Sequence, residues 1–390
     1  MLLLYILFGT MFLFGFLELI KGVSYPLIKN EFGVSYETQA VMVLILSISY
    51  TIFVIISGFM LGRFKVKSIY FTSLILCLVS ISTIYFMPSY WTVALSFLFL
   101  FAGFGIIEIA VNAVAAKIFT VKTALMMNLL HFMYGAGAIA GPKAAGIMTD
   151  PEGMGMPWRQ IYLLAIPLVM IIFIPFIFAK FPATEEPETP DSTAVVQEKH
   201  SFISALKTPS VWAFGVILGV SIGLELAPSN WGGLYFQDLY NMDPTTSGAN
   251  FISSYYIFFT LSRLVSGFII EKIGYIRSLF GAVVISTVIL GAGYMLGATG
   301  IYVLPILGFF LAILWPTIMA IAIGYYGSSK APINTSAIIA IAGLLNAGIQ
   351  FIIGYINHWA GTGWGYRSCF LFGFILIGLL FGFRKTMGKA

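Results

Sequence analysis

Glu18 and Glu108 each lie deep inside a long apolar stretch. A carboxylate in hydrocarbon is costly, so such a residue must face water or a partner inside the protein. There it can take up and release protons, neutralise a cation, or accept hydrogen bonds from a polar solute. Asn112 follows Glu108 by four residues, on the same helical face, so the pair offers a chargeable acceptor and an amide donor. The plain alternative is a structural ion pair or an interhelical hydrogen bond. Glu18 has Lys21 at i+3. Removal from water favours its neutral form and a proton-carrying role, whereas pairing with Lys21 favours the charged form and a structural role. Asn128, His131 and Gly135 stand at i, i+3 and i+7 on one helical face, where a histidine relays protons, donates to a solute, or simply packs. Glu225 is followed within two turns by Asn230 and Trp231. Amides bind hydroxyls and an indole face stacks on a C–H surface, so this segment suits a carbohydrate wall; equally, Trp231 suits an interfacial aromatic belt. Trp315 and the i, i+4 pair Asn346 and Gln350 are weaker versions of the same case, and Tyr255 and Tyr256 are candidates to line a cavity.

The elements that must position these groups are membrane helices. Of 390 residues 59% are hydrophobic and only 9% are charged. The mean hydropathy of +0.98 is far above that of soluble domains. A hydrocarbon core roughly 30 Å thick needs about 20 apolar residues per helix, and the unalternating apolar runs exclude a barrel. Interruptions by polar residues, Gly and Pro predict twelve spans near 3–24, 39–61, 68–88, 91–117, 124–148, 158–180, 209–236, 248–271, 275–297, 301–325, 333–356 and 366–384. Met1 to Leu17 has no basic flank or cleavage site and reads as the start of span 1 rather than a signal peptide. Cys77 and Cys369 fall in apolar segments and read as small core residues. No Gly-Lys-Ser/Thr phosphate loop, His/Cys metal cluster or evident Ser-His-Asp order is present, so neither a metal nor an organic cofactor is expected.

The net charge of +5 reports orientation rather than nucleic acid. With both termini inside, the cytoplasmic side receives Arg63, Lys65, Lys67, Lys117, Lys122, Lys180, Lys199, Lys207, Lys272, Arg277, Lys330, Arg384, Lys385 and Lys389, while the outer loops carry Glu31, Glu37, Asp150, Glu152, Asp238 and Asp243. The expected place is the cytoplasmic (inner) membrane of a bacterium. The acidic, Pro-containing stretch at 181–208 reads as a cytoplasmic linker between six-helix bundles at 1–180 and 209–390, with Phe202 to Leu206 a candidate short interfacial helix. The two halves repeat at an offset of about 207 residues. Gly15-Phe16-Leu17-Glu18-Leu19 answers Gly223-Leu224-Glu225-Leu226, and Trp158-Arg159 answers Tyr366-Arg367. Two parallel six-helix halves around a midplane site are the architecture of alternating-access carriers.

With these features the chain resembles the major facilitator superfamily over essentially its whole length. The loop after span 8, with Arg263, Gly267, Glu271, Lys272 and Gly274, resembles that superfamily's conformational loop signature. Arg63 ends the first-half copy, which carries Gly62 where the acid is expected. Within the superfamily the chain is similar to the fucose:proton symporter family of bacterial sugar permeases. Three motifs carry that likeness: Glu108 with Asn112; Asn128-Leu129-Leu130-His131-Phe132-Met133-Tyr134-Gly135-Ala136-Gly137 followed by Gly141-Pro142; and Trp315-Pro316-Thr317. The resemblance implies a twelve-helix, all-α fold and inward sugar movement coupled to protons through acids in spans 1 and 4, here Glu18 and Glu108.

The expected activity is therefore proton-coupled symport of a monosaccharide or similar polyol, with Glu18, Glu108 and His131 as coupling candidates. Substrate contacts are expected from Glu108, Asn112, Asn128, His131, Glu225, Asn230, Trp231, Trp315, Asn346 and Gln350. The coupling ion is H⁺ or, alternatively, Na⁺, and drug/proton antiport is the competing transport reading. An intramembrane enzyme or a sensor is the rival from another class, disfavoured because catalysis needs no internal repeat. The expected partners are a small-molecule substrate and the lipid bilayer, with no nucleic acid and the protein acting as a monomer.

Overall fold

A computed structural model of the chain describes residues 1–61, 63–121, 123–181 and 202–387. These residues form helices α1 (Leu2–Phe32), α2 (Tyr36–Leu61), α3 (Val66–Ile84), α4 (Tyr90–Ile118), α5 (Thr123–Thr149) and α6 (Trp158–Phe178). After the short α7 (Phe202–Leu206) come α8 (Pro209–Tyr240), α9 (Pro244–Ile273), α10 (Tyr275–Met295), α11 (Gly297–Gly327), α12 (Ile333–Ala360) and α13 (Thr362–Arg384). Among the described residues there is no strand, and eleven of these helices are long and apolar enough to cross a membrane. The remaining long helix, α5, carries Asn128, His131 and Lys143 and packs between α1 and α9.

Each expected span coincides with one long helix, and the helices overrun the apolar segments because helical hydrogen bonding continues past the hydrocarbon boundary. Thus α1 runs on through Pro26 to Phe32. The Phe202 to Leu206 expectation is met by α7, whereas residues 182–201 of the expected linker, with Gly62, Lys122 and Lys199, lie outside the described residues. Cys77 and Cys369 are buried and unbridged. The run of helix from α11 towards α12 is kinked at Gly327, whose φ of 70° lies in the left-handed region open to glycine.

Two seams join the halves, α2 against α12 and α5 against α9. At the first, Gly343 lies on Thr51, and Gly354 sits between Trp231 and Ala40. At the second, Gly135 lies on the Thr260 side chain, the Ser253 hydroxyl donates to the Ile139 carbonyl at 3.0 Å, and Lys143 donates to Asn250 at 2.6 Å. α1 carries the chain from Met1 across to Tyr36, and α13 carries it back from Thr362, beside Asp238, so both ends of the described chain lie on one side. On the opposite side, the Tyr36 hydroxyl donates to Asp238, and His358 stands 3.6 Å from Glu37, both contacts between the halves. The halves are thus fastened to each other on the side away from the termini.

Candidate functional site

The closest helix crossing builds the first part of the site. A Cβ added at Gly15 would meet the Tyr134 carbonyl, and one at Gly137 would meet the Phe12 carbonyl, so α1 and α5 touch backbone to backbone. That approach brings the Tyr134 hydroxyl to Glu18, to which it donates at 2.8 Å. Lys21, one turn along α1, stands 3.4 Å from the other carboxylate oxygen, and its ammonium lies 5.0 Å from the centre of the Phe101 ring. The side chains of Lys21 and Glu18 are only 5% and 13% exposed. Glu18 is therefore held between a cation and a phenol.

Glu108 is partly buried on α4. Asn112 donates to its backbone carbonyl at 2.7 Å and to its carboxylate at 3.2 Å, realising the i, i+4 pair. Glu225, the repeat counterpart of Glu18, is also partly buried, on α8. Just beyond it Pro228, which has no N–H to give the preceding turn, opens α8 into a π-helical turn over Pro228–Gly232. The Tyr255 hydroxyl on α9 donates to the Glu225 carbonyl at 2.9 Å and ties the two helices together there. Glu18, Glu108 and Glu225, from both halves, all lie within electrostatic range of Tyr50 of α2. Tyr134 and Tyr256 also feel both Glu18 and Glu225.

Arg263 departs from its expected place in a conformational loop. It stands inside α9, about three turns before the helix ends at Ile273, and its guanidinium lies 5.0 Å from the centre of the Phe259 ring. It is within electrostatic range of Glu108, Glu225 and His131. Gly267 and Glu271 of the same signature are likewise helical and are exposed; only Gly274 interrupts the helix. Arg63 is exposed in the turn after α2. The reason is that α9 extends through the signature, and its periodicity turns Arg263 inward and Glu271 outward.

The expected substrate contacts divide into two groups. His131 is partly buried within electrostatic range of Arg263, and Asn128 is exposed one turn earlier on α5. Asn230, Trp231, Asn346 and Gln350 do not join them. Gln350 accepts from Asn230 and from the Trp231 indole, each at 3.0 Å, and donates to the Gly223 carbonyl at 2.8 Å and to Asn346 at 3.4 Å. Trp231 and Gln350 are fully buried, so these four residues clamp α8 to α12 instead of presenting polar groups to a solute. Nor does Trp231 belong to an interfacial belt. Trp315 is partly buried on α11. Sequence reading placed Arg263 in a loop and not among the acids, although its mid-span position carries the same signal as Glu108; Tyr50 had no signal among 20 tyrosines.

Three acids, an arginine, a histidine and tyrosines around a region reached by both halves can exchange protons and hydrogen-bond a polar solute. Among the described residues no group of His, Cys, Asp and Glu is disposed to hold a metal.

Known proteins agree with the fold. The chain is similar in structure to the E. coli fucose:proton symporter FucP (TM-score 0.64, 16% identity, covering 97% of this chain and 98% of that one). It is also similar to the nucleoside transporter NupG (TM-score 0.77, 12% identity, covering 99% and 98%). A third likeness is to a bacterial homologue of the human lysosomal transporter Spinster, in an inward-facing, unoccupied conformation (TM-score 0.78, 13% identity, covering 100% and 98%). No curated protein sequence matches the chain. The sequence profile of the Major Facilitator Superfamily matches residues 7–338, so the chain belongs to that superfamily and is a membrane transporter rather than an enzyme.

Proposed function

We propose that this transporter is a proton symporter for a neutral, hydroxyl-rich solute, a monosaccharide or a molecule containing one. The observation that carries the reading is the set of partly buried acids at membrane depth, Glu18 and Glu108 from one half and Glu225 from the other, all within electrostatic range of Tyr50. Acids kept from bulk water exchange protons as access alternates, while Asn112, His131 and the tyrosines supply donors and acceptors to hydroxyls. The sugar assignment draws support from the likeness to FucP, which is titled a fucose:proton symporter. A nucleoside is the second reading: NupG is titled a nucleoside transporter, and the partly buried rings of Tyr50 and Tyr134 would stack on a base. The proposed setting is a bacterial cytoplasmic membrane with both termini in the cytoplasm, the protein acting as a monomer.

Thermal-shift screening of purified protein against fucose, other monosaccharides and nucleosides identifies the ligand, since a molecule that binds only the native state raises the melting temperature. Uptake of that ligand into proteoliposomes is then driven by a pH gradient or by a Na⁺ gradient. Accumulation under the pH gradient alone is expected; accumulation that needs Na⁺ and ignores pH would remove proton coupling.

A further inference from the structure

The internal repeat places one acid near the far end of the first helix of each half, Glu31 on α1 and, at the same offset of about 207 residues, Asp238 on α8. The first-half acid is held inside its own half. The Trp158 indole donates to Glu31 at 2.5 Å, and the Arg159 guanidinium bonds the other carboxylate oxygen. The second-half acid is held differently. Asp238 accepts from Thr362 of α13 at 3.2 Å and, across the halves, from Tyr36, whose ring has the Lys29 ammonium 4.3 Å from its centre. Tyr366 and Arg367, which answer Trp158 and Arg159, are left without their acid. The Tyr366 hydroxyl and the Arg367 Nε are both buried and have no hydrogen-bond partner. The Arg367 guanidinium lies with the neutral phenols of Tyr235 and Tyr240, 5.9 Å from the centre of the Tyr235 ring, and no described carboxylate forms an ion pair with it.

The acid and the arginine share one seam. Tyr235 and Asp238 stand at i and i+3 on one face of α8, and both reach α13: the Tyr235 ring lies 5.0 Å from that of Tyr366, and Asp238 is bonded to Thr362. A carboxylate turned away from Tyr36 meets there a guanidinium with unspent donors. Tyr36 and Asp238 belong to halves that move apart when the side away from the termini opens, whereas Asp238 and Arg367 belong to the same half and keep their spacing. Opening therefore strips the acid of one partner and leaves the other on the adjoining helix.

We propose that Arg367 is the second partner of Asp238. Tyr36 holds the acid while this side is closed; Arg367, with the Tyr366 hydroxyl, takes it when the side opens, and so restores in the second half the arrangement that Glu31 keeps with Trp158 and Arg159 in the first. Asp238 is thus a latch with two positions, and Arg367 acts through it as a positioning residue for the transport cycle. The device serves alternating access itself and holds for any solute or coupling ion.

The test needs no solute. Distances between spin labels on the far ends of α2 and α8, measured on the full-length protein in lipid, report how often this side is open. Tyr36→Phe is expected to raise the open population about fivefold, and Arg367→Gln added to it to bring that population back to the wild-type level. Arg367→Lys in the same background should fall between, because an ammonium lacks the two-pronged bond of a guanidinium to a carboxylate. When Asp238→Asn is present as well, the Arg367 substitutions should be silent. Melting profiles establish that each variant is folded; if Arg367→Gln is not, Arg367→Lys decides. An open population that neither Arg367 substitution lowers, or that falls equally with Asp238→Asn in place, overturns the proposal, since an arginine that only packs α13 would act without regard to the acid.

Discussion

Glu18 on α1 is shared between Tyr134, which donates to one carboxylate oxygen at 2.8 Å, and Lys21, which stands 3.4 Å from the other. The acid that the resemblance implies to be a coupling residue is thereby bound at once to a phenol and to an ammonium.

Removing Lys21 should be far worse than removing the pair. Lys21→Met leaves a nearly buried carboxylate uncompensated, with an expected loss of about 3–5 kcal/mol. The double variant Lys21→Met with Glu18→Gln should recover most of it. Melting temperatures of the four proteins in this cycle measure the coupling, and additive losses would show that the two side chains do not interact.

Glu108→Gln should abolish accumulation but not exchange. For symport of one proton, wild-type accumulation rises as external pH falls, by about tenfold per pH unit of gradient. It declines as the outside pH rises and the carrier acid no longer protonates there. In the variant the acid cannot titrate, so the slope flattens and solute equalises across the membrane, while counterflow exchange at zero gradient continues. Concentrative uptake that follows pH as in wild type would refute the role of Glu108.

Gln350 joins α12 to α8, and Gln350→Leu strands the Asn230 amide, the Trp231 indole and the Gly223 carbonyl. Each bare buried group costs about 1–3 kcal/mol, so a drop in thermal stability is expected, with Gln350→Glu milder because it keeps the acceptor. Were Gln350 a solute contact, the Leu variant would instead keep its stability and lose ligand-induced stabilisation.

Asp238→Asn should loosen the side away from the termini, because Asp238 accepts from Tyr36 across the halves and from Thr362 at 3.2 Å. Asp238 is solvent-exposed, so the loss is small, about 0.5–1 kcal/mol, and the conformational balance shifts severalfold. Distances between spin labels on the ends of α2 and α8 should report a larger population open on that side, and an unchanged distribution would show that this contact fastens nothing.

Backbone contact sets a further limit. Gly137→Ala places a methyl against the Phe12 carbonyl and should destabilise by about 1–3 kcal/mol, whereas Gly378→Ala, where the added atom meets open space, should be neutral in the same melting assay.

Much of this protein was legible without coordinates. The apolar segments located every long helix, because lipid demands a length of hydrophobic chain whatever its neighbours, and the internal repeat paired Glu18 with Glu225. The acids at depth marked themselves by their cost in hydrocarbon. The partners of those acids depended on which face each helix turns to the others and how closely it approaches. Only the crossing of α1 on α5 delivered Tyr134 to Glu18, only the run of α9 through its signature turned Arg263 inward, and only the packing of α8 on α12 withdrew Trp231 and Gln350 into a clamp. Hydropathy and spacing are local quantities, whereas the rotation and contact of packed helices are settled by the whole bundle at once.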